Sequence, residues 1–207
     1  CHLFKDKVEE LGTSNDREAE LLSICDASDV IILCMGLDSG LEGEEGDQGN
    51  AYASGDKPNL NLPGIQQKVI DMVVATAKPV VLVLVAGSAL ALTKSSQEVG
   101  AFLYAGYPGA QGGNAVASIL FGEHSPEGKL PITFYKTTEE LPEFTDYSMK
   151  GRTYRYMTQE ALYPFGYGLS YTDFEITNAK ISTDTISSED VTVELDITNS
   201  GDYDGAQ

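Results

Sequence analysis

Two apolar runs decide the fold of this 207-residue chain: DVIILCM at residues 29–35 and PVVLVLVA at residues 79–86. Both runs are nearly continuous in apolar side chains, which predicts strands that are buried on both faces, as in a parallel sheet. Residues 14–25 and 64–76 carry apolar side chains at three- and four-residue spacing, which indicates helices. Alternating strands and helices of this kind predict an α/β fold with a mostly parallel sheet flanked by helices.

The same reading extends beyond the second run. Residues 115–121 predict a further helix, and KLPITFY at residues 129–135 predicts a further strand. After about residue 162 the pattern changes, because residues 174–181 and 191–197 alternate apolar and polar side chains. Such alternation predicts antiparallel strands with one face in water.

Two or three strands cannot close a β-sandwich by themselves. We therefore expect the chain to stop early in a second domain. The predicted division is an α/β sandwich domain over residues 1–165 and, over residues 166–207, a linker with the first strands of a β-sandwich. The chain begins with Cys1 rather than Met, so we expect an excised segment whose signal peptide, if any, lies outside it.

The composition argues against several classes of partner. Lys and Arg total 13 against 32 Asp and Glu, which gives a formal net charge of −19. Nucleic acids and anionic membrane surfaces are bound by clustered basic residues, so we expect neither as a partner. The longest apolar run, residues 79–92, is interrupted by Gly87 and is too short to span a bilayer.

The three cysteines do not indicate a disulfide framework. They cannot all pair with one another, and no two of them form a CxxC motif. We expect Cys25 and Cys34 to be reduced thiols in the core. Reduced thiols favour a reducing compartment, and hence a cytoplasmic location.

The loop over residues 36–63 is the candidate site, because it leaves the carboxyl end of the first predicted strand, where ligands of parallel sheets bind. Six carboxylates precede its first basic residue, Lys57: Asp38, Glu42, Glu44, Glu45, Asp47 and Asp56. Crowded carboxylates raise one another's pKa, and a carboxyl that stays protonated can act as a general acid. The residues alone are also compatible with an acidic loop that is simply solvated. A calcium-binding loop is a further alternative, although the residues lack the spacing of an EF-hand.

Motifs for bound groups are otherwise lacking in the sequence. His2 and His124 have no Cys or His cluster around them, so we expect no metal site. Neither GxGxxG nor GxxxxGK[ST] is present, so we expect no cofactor.

Five motifs in order resemble the C-terminal α/β domain of family 3 glycoside hydrolases. They are GLDSGLEGEEGDQ at 36–48, LNLPGIQ at 60–66, GYPGAQGG at 106–113, LFGEHSPEGKLP at 120–131 and LYPFGYGLSY at 162–171. In that family this domain supplies the general acid/base Glu, while the nucleophilic Asp comes from a separate N-terminal (β/α)8 barrel. Residue matching makes Glu44 the acid/base, with Glu42 and Glu45 as alternatives. Asp47 would bind substrate or support the site.

The resemblance implies part of a retaining exo-β-glycosidase that hydrolyses β-glucosides or β-xylosides. The partners implied by the resemblance are a β-linked oligosaccharide or glycoside and the barrel of the parent chain. The C-terminal part of the chain would begin a fibronectin III-like domain. No cofactor is implied. Retaining hydrolysis needs two carboxyl groups about 5–5.5 Å apart across the anomeric carbon. Glu42 and Glu44 are too close in one loop to flank a sugar, so we expect the isolated chain to be inactive.

Two other classes of function compete with this hypothesis. Gln48 stands where many relatives have Arg, which is compatible with a non-catalytic carbohydrate-binding or interaction module. A flavodoxin-like domain for a small ligand is the second alternative, because a fold does not fix a function.

Overall fold

The computed structural model of the chain describes residues 14–38, 57–185 and 190–206. Its helices and strands, in chain order, are α1 (Ser14–Asp26), β1 (Ile31–Gly36), α2 (Gln66–Val74), β2 (Val80–Val85), α3 (Thr93–Glu98), β3 (Ala101–Tyr104), α4 (Gly112–Leu120), α5 (Thr153–Tyr156), β4 (Phe174–Ile181) and β5 (Val193–Asn199). The chain divides into two compact units, Cys1–Gly112 with Pro131–Phe165 and Gly113–Leu130 with Gly166–Gln207. The predicted domain boundary at residue 165 stays a prediction.

The first unit is built on a parallel sheet in the order β1-β2-β3. Ile31 lies opposite Val80 and Gly36 opposite Val85, while Val81 lies opposite Ala101. The predicted α/β fold with a mostly parallel sheet and flanking helices is therefore confirmed. Because all three strands run in one direction, their carboxyl ends meet at one edge of the sheet.

The core of this unit lies between the sheet and α2. The helix buries Val69, Ile70 and Val73, and each is no more than 3% exposed. Leu82 and Leu84 of β2 are fully buried in the same cluster. Burial of a side chain of this size contributes roughly 1.5–3 kcal/mol, so this layer holds α2 against the sheet.

Strand β1 differs from its prediction, since only one of its faces is buried. Leu33 and Met35 face the core, whereas Ile32 is 49% exposed and Cys34 is exposed as well. Successive side chains of a strand point to opposite faces, and β1 lies at one edge of the three-stranded sheet that the structure describes. Cys25 is buried as expected, but the prediction of a core position for Cys34 was wrong.

Residues 129–135 do not form the predicted strand. Leu130 exchanges backbone hydrogen bonds with Gly166 and Tyr167, and Phe134 pairs with Tyr163 in an isolated bridge. Residues 131–133, which lie between these pairings, form no continuous ladder with the facing chain.

The second unit contains the antiparallel pair β4–β5, with Phe174 opposite Asn199 and Ile181 opposite Val193. The antiparallel strands are confirmed, but both of their faces are exposed within this chain, and Ile176 and Ile197 are each more than half exposed. No second layer covers the pair among the described residues. The fibronectin III-like assignment stays a prediction. Among the described residues, no helix combines the length and apolar character needed to cross a bilayer.

Candidate active site

The predicted site residues Glu42, Glu44, Glu45 and Asp47 lie in the segment 39–56, outside the residues that the structure describes. The described part of the site consists of the residues that hold the two ends of this segment. We call residues 39–56 the acidic segment.

The first end of the acidic segment is fixed at the carboxyl end of β1. Leu37, the residue after the strand, donates its backbone N–H to the carbonyl of Val85 at 2.8 Å. Its side chain is only 5% exposed. Asp38 follows and is partly buried. The chain thus enters the acidic segment directly beside the end of β2.

Gly36 is held by a buried side chain from α2. Its N–H donates to Oε1 of Gln66 at 2.7 Å, and Nε2 of Gln66 donates to its carbonyl at 2.8 Å. Gln66 is 5% exposed, so both hydrogen bonds lie in the protein interior. Gln66 is not among the site residues predicted from the sequence. The available signal was a polar residue on the face of α2 that also carries Val69 and Val73.

Glycine is required at position 36 by its backbone and its surroundings. Its φ is +135°, and an added Cβ would lie 1.9 Å from the carbonyl oxygen of Val85. That oxygen also accepts the Leu37 hydrogen bond, so the residues on either side of the contact have little room to move apart.

The second end of the acidic segment is fixed beside the chain that follows β2. Lys57 donates through Nζ to the carbonyl of Ala89 at 3.4 Å. Leu60 accepts a hydrogen bond from the N–H of Ala91 at 2.7 Å and donates its own N–H to Oγ1 of Thr138 at 3.0 Å. The acidic segment therefore leaves and returns at the carboxyl edge of the sheet, the edge where ligands of parallel α/β folds collect.

An aromatic ring lies at the same edge, beyond β3. Tyr107 packs against Gly87, because a Cβ on Gly87 would lie 2.6 Å from its Cε2 atom. The tyrosine is 52% exposed. Its ring thus covers the backbone after β2 while one side stays accessible.

A polar surface cleft of about 460 Å³ also lies in the first unit. Its lining residues are Pro58, Asn59, Asn61, Ala91, Thr93, Lys94, Lys136, Thr137, Thr138 and Glu139. At its rim, Lys94 and Asp71 form an ion pair at 2.7 Å. The hydrogen bond from Lys94, followed by that from Gln67, lowers the pKa of Asp71, and the same ion pair raises the pKa of Lys94.

A metal centre has no support in the described ranges, where no three residues among His, Cys, Asp and Glu cluster closely enough to hold an ion.

The sequence matches the Glycosyl hydrolase family 3 C-terminal domain over residues 4–171. The chain therefore belongs to this family, in agreement with the resemblance of its motifs.

Individual relatives are similar over most of the chain. A xylan 1,4-beta-xylosidase of Xylanibacter ruminicola is 43% identical over 86% of this chain and 20% of its own length. A periplasmic beta-glucosidase of Salmonella typhimurium is 38% identical over 77% of this chain and 22% of its own length. The chain thus spans about a fifth of the length of these curated relatives.

A solved structure agrees with these relatives. A β-glucosidase from Erythrobacter marinus superposes with a TM-score of 0.74 at 34% identity, over 91% of this chain and 25% of that chain. The likeness extends to the arrangement of the chain as well as to its sequence.

Proposed function

We propose that this chain is the part of a retaining exo-β-glycosidase that supplies the general acid/base, with β-glucosides or β-xylosides as substrates. Glu44 is the proposed acid/base, and Glu42 and Glu45 are its alternatives. The nucleophilic Asp belongs to an N-terminal (β/α)8 barrel of the parent chain. The observation that carries the proposal is the family match over residues 4–171, which includes the whole acidic segment.

The chemistry divides between two carboxyl groups. In the first step Glu44 protonates the departing glycosidic oxygen while the nucleophile attacks the anomeric carbon and forms a glycosyl-enzyme. In the second step the Glu44 carboxylate takes a proton from water, which attacks the same carbon and releases the sugar. Asp47 binds a sugar hydroxyl or supports the segment that carries Glu44.

The anchors of the acidic segment support this role. A general acid works only when it is held at the correct place relative to the leaving group, and misplacement by about 1 Å can cost roughly a hundredfold in rate. Leu37 and Leu60 hold the two ends of the segment through backbone hydrogen bonds to the chain at and after the end of β2. A segment anchored in this way can present one carboxyl group to a sugar that a neighbouring domain binds.

The names of the relatives support the substrate class. One is a xylan 1,4-beta-xylosidase and another a periplasmic beta-glucosidase, and they are 43% and 38% identical to this chain over the matched residues. Since the chain spans only about a fifth of either protein, the residues that choose between glucose and xylose lie largely in the rest of the parent chain. The proposal therefore includes both sugars.

The test uses the full-length parent with Glu44→Ala, assayed on aryl β-glucosides and β-xylosides with good and poor leaving groups. We expect kcat/KM to fall by about 10²–10⁴-fold on poor leaving groups, which need protonation, and to change little on good ones. Azide should restore kcat on good leaving groups and yield a β-glycosyl azide. The matched control is Glu175→Ala on the exposed surface of β4, which should behave as wild type.

Each other outcome points to a different conclusion. Normal turnover of poor leaving groups by Glu44→Ala would overturn its assignment and direct the same test to Glu42 and then Glu45. An inactive wild-type parent that still binds β-linked oligosaccharides would favour the non-catalytic carbohydrate-binding module.

A further inference from the structure

The contact between Gln66 and Gly36 has the hydrogen-bonding pattern of a strand pair. Gly36 lies opposite Val85 of β2, but its own N–H and carbonyl both bond to the carboxamide of Gln66. A carboxamide offers one acceptor and one N–H donor in the same arrangement as a peptide group. Gln66 thus takes the place of a neighbouring strand at the last residue of β1.

This pairing satisfies two backbone groups that water does not reach. Gly36 is buried and Gln66 is 5% exposed. A buried peptide group without a hydrogen-bond partner lowers the free energy of unfolding by about 1–3 kcal/mol. The N–H and the carbonyl of Gly36 therefore need the side chain of Gln66 or must move toward water. Such a movement would displace the residue at which the chain turns out of the sheet.

Gly36 and Gln66 also flank the acidic segment in the sequence. They are 30 positions apart, and the segment with Glu44 lies between them. Gly36 is the end of the strand before the segment, and Gln66 begins the helix after it. Two hydrogen bonds therefore tie the element that precedes the segment to the element that follows it.

We infer that Gln66 is a positioning residue for the general acid: its carboxamide fixes Gly36 and thereby the path along which the chain enters the segment that carries the acid. The inference rests on the proposed function. It assigns Gln66 no contact with substrate, and its effect on catalysis passes through the Gly36 backbone.

The first variant of the parent is Gln66→Met, which keeps the length of the side chain and removes both hydrogen bonds. We expect kcat/KM on poor leaving groups to fall by about 10–100-fold and on good leaving groups by less than about threefold. A role in folding alone would lower the amount of active enzyme and reduce both rates equally. Titration of active sites with a covalent glycosidase inhibitor measures that amount directly.

The second variant, Gln66→Glu, tests the hydrogen bonds without a change of shape. When protonated, its carboxyl can accept from the Gly36 N–H and donate to the Gly36 carbonyl, as the carboxamide does. When ionised, it has no donor and faces the carbonyl oxygen with a second acceptor. The ratio of its kcat/KM on poor leaving groups to that of wild type should rise at least about tenfold between pH 7.5 and pH 5.

Reference to wild type at each pH removes the titration of groups that are common to both proteins. The ratio for Gln66→Met should not change with pH. Gln97→Glu, on the exposed surface of α3, is the matched control and should keep a ratio near one.

The outcomes separate this inference from the proposed function. If Glu44→Ala shows no dependence on the leaving group, the assignment of the acid fails whatever Gln66 does. If Glu44→Ala behaves as expected but Gln66→Met loses equal activity on both substrates, or none, the positioning role is overturned. A flat pH ratio for Gln66→Glu would also overturn it.

Discussion

Gly36 and Val85 lie so close across the β1–β2 pair that a Cβ on Gly36 would be 1.9 Å from the Val85 carbonyl oxygen. The strands cannot separate locally to relieve this contact, because the same oxygen accepts the hydrogen bond of Leu37. The contact lies where the chain leaves the sheet for the proposed catalytic segment. Its geometry therefore concerns both stability and function.

Gly36→Ala should destabilise the protein strongly. The positive φ alone costs on the order of 1–3 kcal/mol for a residue with a Cβ, and the overlap with the Val85 carbonyl adds to it. We expect the free energy of unfolding in urea to fall by about 3 kcal/mol or more. Gly113→Ala is the control, since nothing lies within 4 Å of its added Cβ in α4 and alanine favours a helix. Equal stability of the two variants would contradict the structure at Gly36.

Ile70→Ala should open a cavity between α2 and the sheet. Ile70 is 0% exposed, and a truncation of this kind costs about 2–5 kcal/mol. Ile24→Ala, which removes the same atoms from a side chain that is 59% exposed, should cost less than about 1 kcal/mol. Denaturant unfolding of both variants measures the difference. Similar losses would mean that α2 does not pack as described.

The ion pair of Asp71 and Lys94 should give a small, pH-dependent contribution to stability. Its neighbours lower the pKa of Asp71 below 3.8, so the carboxylate stabilises the fold above that value, and the contribution is lost as the pH falls through the folded-state pKa. The pKa of Lys94 is raised above 10.5, so its contribution is lost only as the pH rises through that higher value.

Asp71→Asn should therefore lower Tm slightly at pH 7, and the difference from wild type should shrink toward pH 2.5. The effect is small because both side chains are largely exposed and water screens the pair. Thermal unfolding of both proteins across this range checks the sign. A difference that grew at low pH would contradict it.

The exposed apolar pair on β4–β5 should make the isolated chain prone to aggregation. Ile176 lies directly opposite Ile197, and they are 56% and 52% exposed. Replacing both with Thr should slow aggregation severalfold, as followed by light scattering, because it removes apolar surface beside unpaired strand edges. The control pair Thr177→Ser with Thr198→Ser lies on the same two strands and should leave the rate unchanged.

The same pair of substitutions tests the second domain in the parent chain. If further strands complete a fibronectin III-like sandwich there and cover this face, the Thr pair should lower the Tm of the parent. An unchanged Tm would argue against that cover.

The isolated 207-residue chain should not turn over aryl β-glycosides, because the proposed nucleophile lies in another domain. The measurement is release of the aryl group over many enzyme equivalents, with the full-length parent as the positive control. Steady turnover by the isolated chain, abolished by Glu44→Gln, would contradict the split site.

Local pattern was sufficient for the main elements of the fold. The apolar run at 79–86 forms the buried strand β2. The residues after Gly64 that carry apolar side chains at three- and four-residue spacing form α2, although the helix begins two residues later than expected. Helix α3 was not predicted, because its sequence TKSSQE carries no apolar period. Ser95 in this helix is nevertheless fully buried, with its hydroxyl bonded to Gln67.

The sequence by itself determined the parallel α/β core and the family, because both depend on short-range patterns: the period of apolar residues and the spacing of motif residues along the chain. The tertiary structure alone decided which face of β1 is covered, why position 36 requires glycine, and what Gln66 binds. Each of these depends on a contact between distant parts of the chain, with Val85 across the sheet or with α2 beyond the acidic segment. A local sequence pattern does not specify such a contact, because the contact forms only when the chain folds.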